Sequence, residues 1–470
     1  MRAKSRFSVG PFGRGDGRRP SRKTIPSVGW REQIDALAAL RGDLIGFLER
    51  IHRKYGDIVR IRVLGKSVIV LNHPDYFEHV LVKNQKNYDK KTYLYKVLKP
   101  AFGNGIIGHV GGKEWRRQRR LIQPSFYRSR VDGLVPKVTE PIAEMIQRWR
   151  GRATPDDVID IADEAQQLSL QVVFTALFGA EPGGKRRAIE DLFVEAHHIL
   201  SNFFRRPFPP LGWPTPRGNR LREITGTLDH YIDQLVRDRL RAGMHGDDVL
   251  SILIEGLYRN AETGGDRELL GQEVQNIMIG GYETVSTTMQ WLLYMVATHP
   301  QVQERLHHEV DEVLSGSIPA HADLPRLTYT RMIVDETLRC YPPAWHLMRR
   351  AVAEDAIAGY RVPPNSEIYF NIFTLHHHPD LWPSPDRFDP DRFSPEQRAR
   401  RPRNAYVPFG SGPRKCVGDY FAVVELTLLL SMVAQAYRLV PAPEQRRAQP
   451  DQQLTLQPKG GVWLSLEERG

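Results

Sequence analysis

Most of the chain shows the spacing of apolar residues that is typical of amphipathic helices. Leu44, Phe47, Leu48 and Ile51, for example, recur every three or four positions and share one face of a predicted helix over 42–55. The same spacing predicts helices over 112–126, 161–178, 188–204, 217–242, 268–299, 301–314, 329–340 and 419–437. Helices are therefore expected to dominate the fold.

Strand patterns are shorter and lie mostly near the two ends of the chain. Val59–Val63 alternates apolar and charged residues, as a half-buried strand does, and a turn over 64–67 joins it to Val68–Leu71 as a hairpin. Further strand-like pieces cover 361–362 and 367–370, and a second hairpin is predicted from 454–456 and 462–466. No repeat or flexible linker divides the chain after residue 31, so we expect one domain, mainly α with a minor β-sheet region.

Composition indicates a globular protein and places most of the net charge at one end. Apolar residues make up 41% of the chain and charged residues 26%, which excludes a disordered or fibrous protein. The net charge is +11, but nine basic residues and one acid, Asp16, lie within residues 1–31. We expect residues 1–30 to form a disordered Gly/Pro/Arg-rich leader and residues 31–470 to form the single domain. Binding of the leader to anionic lipid or nucleic acid is the alternative.

No segment has the pattern of a membrane span. The longest apolar run, Val423–Ala436, has 14 residues and contains Glu425, whereas a transmembrane helix needs about 20 apolar residues. Residues 1–30 also lack the apolar core of a secretory signal. The sequence therefore predicts a cytoplasmic protein with no transmembrane anchor.

Two cysteines occur, Cys340 and Cys416, without the spacing of a zinc site. Cys416 ends the run Phe-Gly-Ser-Gly-Pro-Arg-Lys-Cys, which begins at Phe409 and leads into an apolar helix. The cations Arg414 and Lys415 and the helix N-terminus favour a thiolate there. A lone soft thiolate suits an iron whose other ligands come from elsewhere, as in a haem, whereas Cys340 is expected in the core.

Three further helical segments place chemically useful residues on one face. Trp115 and Arg119 lie four residues apart, an arrangement suited to holding a carboxylate, and Glu336 and Arg339 lie three apart as an ion pair. The third segment, residues 280–284, reads Gly-Gly-Tyr-Glu-Thr in the middle of the longest predicted helix. Glycines at that place predict a kink without, by themselves, indicating its purpose.

The spacing F-G-x-G-x-R-x-C-x-G resembles the cysteine loop of the cytochrome P450 family, and the other motifs follow in that family's order over about residues 31–466. The resemblance implies a single haem-thiolate monooxygenase fold with haem b (iron protoporphyrin IX) as cofactor and Cys416 as the metal ligand. It also implies that Glu283 and Thr284 relay protons to oxygen. Val285 departs from the family pattern, which usually has Thr or Ser at this position.

Other roles follow from the same resemblance. Gly280 would open a groove for O2, Phe409 would pack beside the sulfur, and Glu336, Arg339 and Arg392 would form a buried structural triad. The haem propionates would be bound by Trp115, Arg119, Arg350 and Arg414. The substrate pocket would be lined by Asn276, Ile279, Ala344, Trp345, His346 and Thr455. Asn276 and His346 would either hydrogen-bond an oxygenated substrate or satisfy backbone groups, and these alternatives stay open.

Histidine pairs and triplets are predicted to be structural. Consecutive residues of an extended chain point to opposite sides, and no carboxylates converge with them in the sequence. The predicted structural groups are 197–198, 307–308 and 376–378.

The implied activity is insertion of one oxygen atom from O2, by hydroxylation or epoxidation, into a hydrophobic small molecule such as a terpenoid. The chain has no flavin or iron–sulfur motif, so a ferredoxin with its reductase, or a flavodoxin-type donor, is expected to supply electrons to a monomer. Nucleic acid is not an expected partner. Docking of the donor is assigned to Arg116, Arg117, Arg398, Arg400, Arg401, Arg403 and Lys415. The alternatives are oxidative coupling or peroxide-driven oxidation on the same fold, or a non-catalytic haem-thiolate sensor.

Overall fold

A computed structural model describes residues 23–469 except 64, 152–156, 181–185, 206–208, 210, 244–247 and 260–265. The helices are α1 (Trp30–Ala39), α2 (Leu44–Tyr55), α3 (Pro74–Glu78), α4 (Tyr93–Phe102), α5 (Lys113–Ile122), α6 (Arg128–Asp132), α7 (Val135–Arg150), α8 (Ile161–Val172), α9 (Arg186–Arg205), α10 (Pro216–Arg241), α11 (Val249–Leu253), α12 (Arg267–Ala297), α13 (Pro300–Leu314), α14 (Thr328–Cys340), α15 (Ile372–His376), α16 (Pro395–Arg400) and α17 (Asp419–Ala436). Helix α8 continues into a π-helical turn, Val173–Leu177.

The strands form small sheets on the outside of this helical body. They are β1 (Ile58–Val63), β2 (Lys66–Leu71), β3 (Tyr88–Asp89), β4 (Ile159–Asp160), β5 (His346–Ala351), β6 (Asp355–Ile357), β7 (Tyr360–Val362), β8 (Glu367–Asn371), β9 (Tyr437–Pro441), β10 (Pro450–Gln452), β11 (Leu456–Pro458) and β12 (Trp463–Glu468). The largest sheet has the order β1-β2-β8-β5-β3, in which only β2 and β8 run parallel. The other sheets are β4-β12-β9, β10-β11 and β6-β7.

Helix α12 forms the centre of the body and packs against α8, α10, α14 and α17. Its second half is buried on all sides, which explains why the apolar stripe expected of a surface helix is weak there. Trp291 of this helix stacks on Tyr341 with ring centroids 3.7 Å apart. Helix α17 is long and apolar enough to cross a membrane, but most of it is buried inside the protein, as predicted for a core helix.

The predicted mainly helical fold is confirmed, and the first hairpin is confirmed with Val59 opposite Val70. The second hairpin is wrong. Its first strand, β11, pairs with β10, while its second strand, β12, pairs with β4 and β9. The apolar pattern marks each segment as a strand, but it carries no information on which distant segment offers the free edge.

Helix α7 was not expected from the sequence. It contains Pro136 in its first turn and Pro141 in its interior, and proline normally argues against a helix interior. The helix persists because its buried face, including Ile142, Met145 and Trp149, belongs to the main core. Tertiary packing therefore outweighs local propensity here.

The ordered body begins before residue 31. The Lys23 amide donates to the Gly359 carbonyl at 2.9 Å, the Val28 amide donates to the Arg60 carbonyl at 3.1 Å, and Ile25 is 1% exposed. Residues 23–30 are thus part of the domain, which corrects the boundary predicted at residue 30. The rest of the predicted leader, residues 1–22, lies outside the described residues.

We expect Ile25→Ala to destabilise the domain because it leaves a cavity next to Phe77 and Ile368 in the same buried cluster. The expected loss is about 2–5 kcal/mol of unfolding free energy, measured as a lower urea midpoint. The exposed neighbour Thr24→Ala is the control and should leave the midpoint unchanged. Equal midpoints for Ile25→Ala and the unsubstituted protein would contradict the revised boundary.

Candidate active site

The Cys416 loop is held in shape by short backbone hydrogen bonds and by two glycines with positive φ. The Cys416 amide donates to the Phe409 carbonyl and the Gly410 amide donates to the Val407 carbonyl, both at 2.9 Å. Gly412 has φ 72°, and a Cβ there would lie 1.9 Å from a backbone carbonyl oxygen on the facing segment. Neither the conformation nor the space permits a side chain, so this glycine fixes how the loop docks.

The Cys416 side chain is solvent-accessible, but protein atoms surround it closely enough to hinder ionisation. Burial raises the pKa of the thiol, while the Gly418 amide and the charges of Arg119 and Lys415 oppose that rise. The predicted effect of the cations is therefore present but is outweighed by burial. A metal ion at the sulfur would reverse this balance, because a coordinated thiol is deprotonated.

Three cations gather beside this loop, of which Arg349 is buried and Lys90 and Arg414 are half-buried. Arg414 lies over the Trp115 ring at 4.0 Å and donates to the His109 carbonyl at 2.9 Å. Arg349 is 6% exposed, and burial lowers the pKa values of Arg349, Lys90 and Arg414, the last to about 10. Among the described residues, none of these three cations is ion-paired with a carboxylate. Buried positive charge of this kind requires an anion, since its desolvation is otherwise uncompensated.

Arg350, which was predicted to bind a propionate, lies outside this group. It lies on the opposite face of β5 and binds Asp89, with Nη2–Oδ2 at 2.7 Å and Nε–Oδ1 at 3.1 Å. Arg349 is the member of this strand that joins the group, because neighbouring residues of a strand face opposite sides. Arg119 lies at the edge of the group and donates to the Lys415 carbonyl at 2.8 Å.

The structure brings the predicted triad together. Arg339 and Glu336 are both fully buried and form a bidentate pair, with Nε–Oε2 at 2.7 Å and Nη2–Oε1 at 2.8 Å. Arg392 Nε lies 3.4 Å from the same carboxylate, and the Asp389 amide donates to it at 2.9 Å. Cys340 is buried next to this pair, as expected of a core residue.

Helix α12 passes the predicted oxygen-activating segment without a break in its helical structure. A Cβ at Gly281 would lie 2.8 Å from Val173, so this glycine permits close packing against the π-helical turn. A Cβ at Gly280 would meet only Ile107, at 3.4 Å. Thr284 is half-buried, and its hydroxyl donates to the Gly280 carbonyl at 2.7 Å.

Glu283 is buried and takes part in a polar network away from solvent. Its Oε1 accepts hydrogen bonds from Thr455 Oγ1 at 2.7 Å and from Gln457 Nε2 at 2.9 Å. His197 Nδ1, on α9, lies 3.0 Å from the same oxygen. The charge of His197 and these hydrogen bonds lower the pKa of Glu283 although burial alone would raise it. Glu283 is thus held as a carboxylate.

Asn276 has no hydrogen-bonding capacity left for a substrate. Its Nδ2 donates to the carbonyls of Phe102 at 2.9 Å and Gln272 at 2.7 Å. Its Oδ1 accepts from the amides of Ile107 at 2.9 Å and Gly108 at 3.4 Å. All four positions of the side-chain amide are used, so the predicted substrate contact is replaced by the alternative, in which Asn276 satisfies backbone groups.

Two more of the predicted pocket residues are also occupied by other contacts. Trp345 is fully buried, and its indole donates to the Gln453 carbonyl at 3.0 Å, so it belongs to the core instead of a pocket wall. Thr455 is 5% exposed and directs its hydroxyl to Glu283. Thr455 therefore connects the C-terminal strands to α12.

The remaining pocket predictions fall on one buried ring and two half-buried apolar residues. His346 stacks on Tyr369 with centroids 5.2 Å apart, and burial lowers its pKa to about 3, which keeps it neutral. Ile279 and Ala344 are half-buried. Of the six predicted pocket residues, these last two keep partly accessible apolar surface.

Comparison with known proteins agrees with this geometry. The family model for cytochrome P450 matches residues 21–464. The chain belongs to the cytochrome P450 family. It is 32% identical over 433 residues to cyclooctat-9-en-7-ol 5-monooxygenase of Streptomyces melanosporofaciens, covering 89% of each chain. It is 32% identical to pentalenene oxygenase of Streptomyces avermitilis, covering 83% of this chain and 86% of that relative.

A solved structure shows the same fold. The cytochrome P450DA heme domain superposes with a TM-score of 0.85 and 24% identity, covering 96% of this chain and 98% of that chain. The family match and the monooxygenase relatives, together with this fold, make the protein a cytochrome P450 monooxygenase with a haem-iron cofactor, and P450s need a redox partner, O2 and a hydrophobic substrate.

The residues of this P450 fit a haem. Haem carries two propionates, and the cations Lys90, Arg349 and Arg414 provide buried or half-buried positive charge without a carboxylate partner among the described residues. The accessible sulfur of Cys416 would provide the thiolate ligand. The donor set therefore matches both the acidic edge of the cofactor and its iron.

Sequence reasoning missed several residues of this P450. Strand alternation in β5 allows only one of the adjacent residues Arg349 and Arg350 to face the loop, but it does not tell which one. Lys90 and His197 carry no motif, since their partners lie far away in the chain. His197 was predicted to be only structural, whereas it contacts Glu283.

We expect Arg349→Met to weaken haem retention in this P450 and Arg350→Met to leave it almost unchanged. Loss of a buried charge-assisted hydrogen bond costs about 1.5–3 kcal/mol, so transfer of haem to apomyoglobin should be roughly 10- to 100-fold faster. Arg350→Met removes only the pair with Asp89 and is the matched control. Equal haem loss from both variants would contradict the reassignment.

Proposed function

We propose that this P450 hydroxylates or epoxidises an apolar terpenoid, using haem b and electrons from an acidic ferredoxin. The observation that carries this proposal is the similarity over most of the chain to two relatives named for oxygenating cyclooctat-9-en-7-ol and pentalenene. Both names describe terpenoid skeletons with little polar surface. Half-buried apolar residues on α12 and before β5, Ile279 and Ala344, suit such a substrate.

The chain's own residues supply anchoring, exclusion of water and protons. Bound haem iron supplies the site at which O2 is bound and reduced. Arg349 and Arg414 would hold the propionates, and Phe409, whose carbonyl accepts from the Cys416 amide, would shield the sulfur from water. Thr284 carries the half-buried hydroxyl on this part of α12, and rotation away from the Gly280 carbonyl lets it donate a proton towards oxygen. Glu283, adjacent in sequence, replenishes that proton.

Substrate access is assigned to an apolar cavity of about 170 Å³. Its walls come from α1, α2, α4, α9 and the largest sheet, and they include Leu44, Val97, Phe203, Met348 and Tyr369. This cavity lies among elements that the pocket prediction did not include. Its nearly continuous apolar lining suits passage of a molecule with few polar groups.

The donor surface is narrower than the sequence predicted. Arg398 is ion-paired with the buried Asp335, and Arg401 packs over Trp382 at 4.4 Å with its pKa lowered to about 10 by burial. Both side chains are engaged by these contacts, although Arg398 is exposed and Arg401 is half-buried. We assign docking of an acidic ferredoxin to the exposed residues Arg116, Arg117, Arg400, Arg403 and Lys415. We further propose that the protein works as a cytoplasmic monomer.

Thr284→Ala should lower the amount of product formed per NAD(P)H consumed and raise release of hydrogen peroxide. The reason is that protons then reach the oxygen only through water. Thr288→Ala is the matched control, because Thr288 makes the same bond to the helix, with Oγ1 2.7 Å from the Thr284 carbonyl oxygen. The substrate for this assay is found first, by screening terpene alcohols for a shift of the Soret band. An unchanged amount of product per NAD(P)H in Thr284→Ala would contradict the proposed function.

Arg116→Ala combined with Arg117→Ala should slow reduction by an acidic ferredoxin, most clearly at low salt. Exposed charges are screened beyond about 8 Å at physiological ionic strength, so the difference in reduction rate between the variant and the unsubstituted protein should shrink as NaCl is added. Stopped-flow reduction under carbon monoxide measures this rate. Arg222→Ala, an exposed arginine on α10, is the control. A rate that does not depend on salt would contradict this docking surface.

A further inference from the structure

Three separate parts of the fold meet at the carboxylate of Glu283. His197 comes from α9, Glu283 from α12, and Thr455 and Gln457 from the C-terminal segment that contains β11. His197 and Glu283 are 7% and 8% exposed. A buried ion pair that joins a surface helix to the central helix is costly to form unless every hydrogen-bonding position is used.

The hydrogen-bond pattern around His197 favours a proton on both ring nitrogens. Nδ1 faces the carboxylate oxygen of Glu283 at 3.0 Å, and a carboxylate can only accept. Nε2 lies 3.1 Å from Gln453 Oε1, 3.1 Å from Ser201 Oγ and 3.3 Å from Gln457 Nε2. The amide of Gln453 cannot be reversed, because its Nε2 donates to Asp451 Oδ2 at 2.6 Å, and Gln457 Nε2 makes its shorter contact, 2.9 Å, with Glu283. A proton on Nε2 that is donated to Gln453, together with the Nδ1 proton that faces Glu283, makes the ring an imidazolium.

The surrounding charges favour the same state. Burial by itself would lower the pKa of His197, but the charge of Glu283, the hydrogen bonds and the charge of Asp451 in β10 raise it above the ordinary value. Four other charged side chains on α9, Arg187, Glu190, Asp191 and Glu195, are engaged in other ion pairs. They form the pairs Arg187–Asp163 with α8, Arg187–Glu190 and Arg187–Asp191 along α9, and Arg220–Glu195 with α10.

We propose that His197 is the positioning residue of the proton relay and holds the proton that Glu283 passes to Thr284. In this step the N–H bond at Nδ1 of His197 breaks and an O–H bond forms at Oε1 of Glu283. A neutral imidazole remains, and bulk water returns the proton to it. The inference rests on the proposed function, because it assumes that Glu283 and Thr284 deliver protons to oxygen.

The pH dependence has a definite sign. Because the folded-state pKa of His197 is raised, the charged pair is complete at low pH and is lost as the pH rises through that value. The amount of product formed per NAD(P)H consumed should therefore be highest at low pH and should fall as the pH rises above the pKa of His197. A lysine at position 197 keeps its charge to higher pH, so the fall should move to higher pH in His197→Lys.

The experiment compares His197→Gln, His197→Lys and Glu283→Gln in haem-loaded protein over pH 6–9. We expect His197→Gln to release several times more hydrogen peroxide than the unsubstituted enzyme and to lose the pH dependence, with His197→Lys restoring coupling. His198→Gln is the matched control, since His198 is the exposed neighbour on the same helix. A merely structural role for His197 would lower stability without moving the pH profile.

Two results separate this inference from the proposed function. Unchanged coupling in Glu283→Gln would overturn the relay itself. If Glu283→Gln lowers the coupling while His197→Gln keeps the coupling and pH profile of the unsubstituted enzyme, only the role of His197 would be overturned. NMR titration of the ring in the unsubstituted protein tests the inference without any variant. A ring that titrates at or below the ordinary histidine pKa would also overturn it, whereas a raised value that falls in Glu283→Gln supports it.

Discussion

The buried ion pair between Arg339 and Glu336 is the contact on which the position of the cysteine loop depends. Arg339 donates to the carbonyl of His376, and the ring of His376 in turn accepts from the amide of Val407 at 2.9 Å. The Val407 carbonyl accepts from Gly410 inside the loop. Breaking a buried pair by removing one partner costs about 3–5 kcal/mol, because the other charge stays buried. The loop geometry is therefore linked to the helical core by four consecutive contacts.

The two sides of the site have opposite electrostatic character. Next to the cysteine loop, the buried Arg349 and the half-buried Lys90 and Arg414 have no carboxylate partner among the described residues, and this arrangement suits a dianionic cofactor edge. Along α12, the carboxylate of Glu283 has His197 as a partner within the protein. A bound haem would supply the carboxylates that the cations beside the loop lack, whereas Glu283 already has its partner. This difference is consistent with the roles that we propose for the two regions.

Local motifs identified the site residues whose roles depend on close sequence spacing. Glu336 and Arg339 share a helix turn, and the glycines of the Cys416 loop are dictated by backbone conformation, so both were predictable. The sequence does not distinguish Arg349 from Arg350 as the residue beside the loop. A shift of one residue reverses the face of a strand, and the sequence does not show which face meets the loop. Asn276 was ambiguous for a related reason: its four partners lie mainly in a segment about 170 residues earlier.

The sequence by itself determined the family, the helical fold, the glycine-rich loop that carries Cys416 and the ion-pair triad, because each of these rests on short-range spacing or on a specific motif. Only the tertiary structure decided the cation group beside the loop, the pairing of β11 and β12 with separate sheets, and the contact of His197 with Glu283. These features join residues that are tens to hundreds of positions apart. Their proximity depends on how helices and sheets pack, and a single chain's pattern of apolar residues records burial but not the identity of the neighbour.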